Sequence, residues 1–234
     1  MPDTAEIRIA PRFRGPPDSG NGGYVCGRLA AQLEGDVRVR LERPPPLDQL
    51  LRTQEAEDDC VELYAGELRI ARAWPTRLEL APPDAPSWDE AVDAARRFRG
   101  HDEHVFPGCF VCGPERSDGD GLRIFPGPLG NGVAASPWVP DASLGDPQLR
   151  PEFVWAALDC PGVFSFPQPE RRVLLLGELA AHLESPVRVG ERCVVIGWEI
   201  EHVGRKHRTG TALFDSEGRC AGFALGTWIE TESS

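Results

Sequence analysis

The segment Phe153-Val154-Trp155-Ala156-Ala157-Leu158 is apolar on every face of a helix. Pro151 and Glu152 open it well: proline suits the first helical turn, and a carboxylate suits the positive end. A helix with no polar stripe cannot lie on the surface of a soluble domain, so other structure must wrap it. Asp159 follows at once, and Cys160-Pro161-Gly162 then end or bend the helix. A carboxylate in such a setting is paired, protonated or functional, unless the helix end emerges into solvent there.

A second helix with a narrower apolar stripe lies near the N-terminus. After the turn-rich stretch Gly15 to Gly23, the residues Val25, Leu29 and Leu33 recur every four positions through Tyr24 to Leu33, and Gly35 ends the run. Strand patterns follow. Val37, Val39 and Leu41 alternate with Arg38 and Arg40, and Cys60 to Tyr64 and Leu68 to Trp74 flank the turn Ala65-Gly66-Glu67 as a hairpin. The Pro82-Pro83 and Pro86 breakers begin a connector, with a short helix capped by Ser87 and closed near Gly100.

The second half repeats this plan. Gly121 to Phe125 reads as a strand, and the apolar helix comes next. Strands are expected over Val173 to His182 and Cys193 to Glu201, then a hairpin from Thr209 to Phe214 and Cys220 to Ile229. Its last hairpin resembles the first half's, each with an alternating strand, an acidic glycine turn and a small-residue strand. Together with the matching helices this makes the chain a duplication. The units expected are residues 1–82, a linker over 83–108, and residues 109–234.

Composition narrows the function classes. A net charge of −12 argues against general affinity for nucleic acid or an anionic membrane. The polar, acidic start lacks a secretory signal, and no apolar run approaches bilayer length, so a soluble, cytoplasmic protein is expected. Seven cysteines without regular spacing suggest reduced thiols. Cys109 and Cys112 form one CxxC, but Cys60, Cys160, Cys193 and Cys220 are scattered singly, and His101 and His104 sit in the charged linker. Without a second ligand pair the CxxC reads as structural, and no metal is expected. Neither a nucleotide-binding glycine loop nor a serine nucleophile elbow is present, and no cofactor is expected.

A glycine pair opening a helix, followed by a long antiparallel sheet and done twice, resembles the double-hotdog acyl-CoA thioesterases, including bacterial thioesterase II. Asn21-Gly22-Gly23-Tyr24 is similar to the family's glycine-glycine helix start. Phe153 to Asp159 is similar to its second-half helix carrying the catalytic aspartate. Pro186 to Gly190 and Thr209 to Gly218 resemble later strand starts and the penultimate hairpin. Cys109 to Pro114 with Gly121-Leu122 is similar to a segment of phenylacetate-type hotdog thioesterases. The resemblance implies an α+β fold, a tandem (double) hotdog in which each half wraps a long central helix in an antiparallel β-sheet. It implies a small-molecule acyl thioester of coenzyme A as substrate. A fused double hotdog already contains the basic dimer; further homo-oligomers of such protomers are compatible with it.

The same resemblance implies one composite site. The first half keeps Gly22 and Gly23 but has Ala30 where a carboxylate would fall, while the second keeps Asp159 but has Pro151 and Glu152 in place of the glycines. Asp159 would be general base or nucleophile, Asn21, Gly22 and Gly23 would form the facing helix start, and the Gly23 amide would receive the oxyanion. In thioesterase II a threonine and a glutamine help to hold the attacking water; Leu175 to His182 has no threonine and Phe223 to Trp228 no glutamine. A non-catalytic acyl-thioester binding protein is therefore the alternative. His182 and Glu178 share a strand face that could reach the site, with half-buried packing and salt bridging as their plainer roles. Arg205, Lys206 and Arg208 form a basic cluster, read as a loop before the last hairpin, that could meet the phosphates of coenzyme A, although charge runs are usually solvated.

Overall fold

The structure, a computed structural model, describes residues 5–167 and 172–232. The first half contains β1 (Glu6–Arg8), α1 (Gly22–Ala30), β2 (Val37–Leu41), β3 (Leu50–Ala56), β4 (Cys60–Ala65) and β5 (Leu68–Pro75). After α2 (Trp88–Ala95) come β6 (Gly127–Pro128), β7 (Val133–Trp138), α3 (Pro151–Ala157) and α4 (Cys160–Val163). The chain then runs through β8 (Arg172–Leu183), β9 (Cys193–Val203), β10 (Lys206–Phe214) and β11 (Cys220–Glu232).

The described strands form one 11-stranded antiparallel sheet, in the order β1-β3-β4-β5-β2-β8-β11-β10-β9-β7-β6. Read outward from the β2–β8 seam, the order is β2-β5-β4-β3-β1 on one side and β8-β11-β10-β9-β7-β6 on the other. Apart from the extra edge strand β6, each half runs one strand, the helix, then four strands, in the same spatial sequence. The hairpins whose sequences resemble one another, β4–β5 and β10–β11, occupy equivalent places. At the seam Val39 faces Leu179 and Arg40 faces Glu178. Glu178 binds Arg38 at 2.8 Å and Arg40 at 2.9 Å, so one carboxylate clamps two arginines across the join.

Some elements differ from the sequence expectation for visible reasons. Gly121 to Phe125 is not a sheet strand: Arg123 has a positive φ of 53°, and the Leu122 and Ile124 amides donate instead to the carbonyls of Phe110 and Val111. Helix α1 stops at Ala30, because the Gln32 and Leu33 amides bond three residues back in a tighter turn. Strand β7 lay in a Pro/Gly/Asp-rich stretch without a strand signal. Its Pro137 is tolerated because short β6 pairs only with Ala134 and Ala135, leaving no ladder partner at Pro137 on that side. Ser87 caps α2 as expected, in a capping box with Glu90, but the helix ends at Ala95, before the expected Gly100.

Helices α1 and α3 cross inside the sheet and share one apolar core. The crossing is closest at two glycines of α1. A Cβ on Gly23 would lie 2.6 Å from Asp159 Cβ and 2.7 Å from the Trp155 carbonyl oxygen; on Gly27 it would lie 2.7 Å from the Glu152 Cα. Backbone atoms cannot yield, so only glycine admits this approach. The rings of Phe13 and Tyr24 stack at 4.3 Å above it, with Phe110 and Phe153 at their edges. Gly27→Ala should therefore lower stability by about 1–3 kcal/mol through overpacking, measured by urea unfolding. An unchanged midpoint and slope would show that the crossing has slack.

Candidate functional site

Asp159 sits where α3 gives way to α4, with φ −85° and ψ −81°. Pro161 cannot donate to a carbonyl one turn back, so the ladder breaks here. Strand β10 takes up part of the loss: Thr211 Oγ1 donates to the Leu158 carbonyl at 2.7 Å. The break turns the Asp159 side chain toward the N-terminus of α1 in the other half.

Two donors meet it there. Asp159 Oδ2 accepts from Asn21 Nδ2 at 2.8 Å and from the Gly23 amide at 2.9 Å. Asn21 is itself fixed, because its Oδ1 caps α1 by accepting from the Tyr24 amide at 2.9 Å. The carboxylate thus lies on the positive end of a helix contributed by the opposite half. It is 3% exposed, and its second oxygen, Oδ1, is buried with no hydrogen-bond partner. Burial pushes its pKa from an ordinary 3.8 to about 7; the Gly23 amide opposes this, charge on neighbouring Cys109 adds to it, and the Asn21 bond opposes it. The thiol of Cys26, buried on α1, is in turn pushed up by burial and by the nearby Asp159 charge.

The expected juxtaposition of Asp159 with Asn21 and Gly23 is therefore present, with one correction. The Gly23 amide is bonded to the carboxylate and not free to receive an oxyanion, since a helix-start N–H beside a buried acid pairs with that acid. Gly22 opens α1 packed beneath the side chains of Leu176 and Leu41. At the other end of the crossing Gly27 meets the Glu152 backbone, and the Glu152 carboxylate turns to Arg150 at 3.4 Å.

The remaining candidates lie elsewhere. His182 is held between Asp36 at 2.6 Å and Glu184 at 2.7 Å, which raise its pKa, and it packs on Phe223. Glu178 is occupied by its two arginines. Arg205 is in the β9–β10 turn, its carbonyl accepting from the Glu230 amide, while Lys206 and Arg208 are on β10 itself and not in a loop. Along β10 the buried His207, Thr209 and Thr211 alternate with exposed Lys206 and Arg208, so the basic residues point to the sheet face away from α4. There, with Arg40 and Glu178, they line a cavity of about 510 Å³ that Asp159 does not reach. Sequence reasoning missed Thr211, whose alternation with Thr209 on an inward face was the available signal. It also missed that Cys160 is carried to the CxxC segment, which no local spacing encodes.

No protein-family model matches the chain, and no curated protein matches it. Solved structures do. The acyl-CoA thioesterase II TesB2 of Mycobacterium marinum is 12% identical with a TM-score of 0.63, covering 99% of this chain and 94% of its own. The tesB protein of Mycobacterium avium subspecies paratuberculosis is 13% identical with a TM-score of 0.62, over 97% and 92%. A conserved protein of hot dog fold from Alicyclobacillus acidocaldarius is 8% identical with a TM-score of 0.56, over 99% and 94%. The fold is a double hotdog. In hotdog terms α1 and α3 are the two wrapped helices, and Asp159 with Asn21 and Gly23 occupies the junction where they cross. Among the described residues no helix is long and apolar enough to cross a membrane.

The raised pKa makes a stability prediction. A carboxyl that holds its proton longer when folded stabilises fully below its unfolded pKa of about 3.9, and that stability is lost as pH rises to the folded value. Between pH ~4 and ~7 the wild type should lose on the order of 4 kcal/mol relative to Asp159→Asn, whose amide oxygen can accept the same two bonds. Urea unfolding of both proteins at pH 5 and pH 8 checks this. A gap independent of pH would show that Asp159 ionises normally.

Proposed function

We propose that the protein is a thioesterase-like hydrolase of an acyl-CoA or related acyl thioester, with Asp159 as general base. The observation that carries this reading is the divided carboxylate: Oδ2 is fixed by Asn21 and Gly23 from the other half, while Oδ1 is left without a partner. A base must be oriented and must keep one lone pair for the proton it takes. Its pKa near 7 suits proton transfer at neutral pH. Oδ1 takes a proton from water as that water attacks the thioester carbonyl, and the proton passes on to the departing thiolate. Asn21 and Gly23 are positioning residues here, acting through Asp159. At 3% exposure the carboxyl meets substrate only after local opening, which makes turnover depend on that opening.

The same burial favours a second reading, a non-catalytic acyl-thioester binding protein in which Asp159 only ties the halves together. The absence of the threonine and glutamine that the thioesterase II resemblance calls for points the same way. A panel of acyl-CoA esters of graded chain length separates the two. Catalysis predicts that Asp159→Asn lowers kcat/KM by at least roughly 100-fold. It also predicts that wild-type kcat/KM rises with pH up to about 7 and levels above it, because the base must be ionised. If wild type and Asp159→Ala are equally inert yet bind the same ester equally well, the binding reading stands.

A further inference from the structure

The three-dimensional fold gathers donor atoms that the sequence scatters. Two groups of metal-binding side chains form among the described residues: Cys109, Cys112 and Cys160, and Glu199, His202 and His207. The second is a poor ion site for a geometric reason. The His202 and His207 rings stack at 3.8 Å with only 14° between their planes. An ion bound by two imidazoles must lie in both ring planes along the nitrogen lone pairs, which parallel stacked rings do not allow. His207 instead bonds Glu230 at 2.9 Å and stacks on Phe166.

The thiol group has the geometry the other lacks. All three sulfurs lie within 4.8 Å of one another, and Cys109 and Cys160 are 3.9 Å apart. Zinc–sulfur bonds of about 2.3 Å in a tetrahedron separate neighbouring sulfurs by roughly 3.8 Å. A disulfide would require about 2.05 Å. The three cysteines are 3–5% exposed. They join two parts of the chain's path: the CxxC turn, closed by the Gly113 amide on the Cys109 carbonyl at 2.9 Å, and the first residue of α4.

Donors are aimed at these sulfurs, which an incidental cluster of buried thiols would not need. The backbone amides of Cys112 and Val111 hydrogen-bond the Cys109 thiol. His104 Nε2 is 3.3 Å from Cys112 Sγ. Its Nδ1 accepts from the Phe106 amide at 3.0 Å, so Nε2 carries the proton and donates to sulfur. His104 is therefore an outer-shell donor in this arrangement, of the kind that offsets thiolate charge around a bound ion.

We propose that Cys109, Cys112 and Cys160 bind one zinc ion as thiolates, with His104 donating to the Cys112 sulfur. The ion fastens the segment after the linker to the start of α4, directly beside Asp159. On binding, the three thiols release their protons to solvent and three sulfur–zinc bonds form, a water would fill the fourth tetrahedral position, and no oxidation state changes. The site stands on this geometry and not on the hydrolase reading. It also revises the expectation of no metal, which rested on finding only one ligand pair in the sequence.

The test uses the full chain, purified after growth with added zinc. Elemental analysis should find one zinc per chain, released by a mercurial thiol reagent and detected with a chromogenic chelator. Reduced, metal-free protein titrated with cobalt(II) should develop thiolate-to-metal charge-transfer absorption that zinc abolishes. Cys160→Ser should lose that absorption, whereas Cys220→Ser, on β11 and outside the cluster, should keep it. If Cys160→Ser does not fold, the wild-type cobalt spectrum decides alone. Seven free thiols in denaturant with no bound metal and no cobalt charge transfer would overturn the proposal. So would a disulfide among the three cysteines in freshly purified protein.

Discussion

The hydrogen bonds from Asn21 and Gly23 to the Asp159 carboxyl are the interaction on which the rest of this structure depends. They join the start of one wrapped helix to the end of the other across the two halves. They exist only because Gly23 and Gly27 let the helix backbones approach, and a Cβ at Gly23 would overlap Asp159 itself. Removing either the glycines or the acid leaves the other without purpose. The contact thus draws one part from each half: the glycines from the first and the acid from the second.

The same interaction sets the chemistry. A buried carboxyl with one satisfied and one unsatisfied oxygen is costly, and proteins keep such groups where they fix a unique arrangement or where they react. The helix N-terminus and two donors favour the ionised form, whereas burial and the charge on Cys109 favour the neutral one. The balance leaves both forms accessible near neutral pH. Orientation and proton affinity thus come from one set of contacts, and changes to the supporting residues should alter both together.

Much of the fold was legible from periodicity. An all-apolar helix has to be wrapped, and alternating strands supplied the wrapping, so Phe153 to Leu158 and the β4–β5 and β10–β11 hairpins were readable directly. Strand β7 was not, because Pro137 and its small residues mimic a loop; pairing along β9 makes them a strand, and the short β6 leaves room for the proline. Asp159 stood out as a lone carboxylate. Its pairing with Gly23 followed from the resemblance and the complementary losses of the two halves. The use of the Gly23 amide did not follow, since a donor's partner is settled by whichever acceptor the fold brings nearest. Lys206 and Arg208 were misread as a loop for want of the β10 boundary, and alternation then turned them from α4. Cys160 reaches Cys109 only through tertiary folding.

Asp159 is a carboxyl held at the helix junction, poised between neutral and charged. A carbon-13 titration of selectively labelled aspartate, with the Asp159 resonance assigned by its loss in Asp159→Asn, measures this directly. In metal-free protein a midpoint near 7 is expected for that one carboxyl. A midpoint at or below the ordinary aspartate value would contradict it, and with it the role assigned to burial at the crossing.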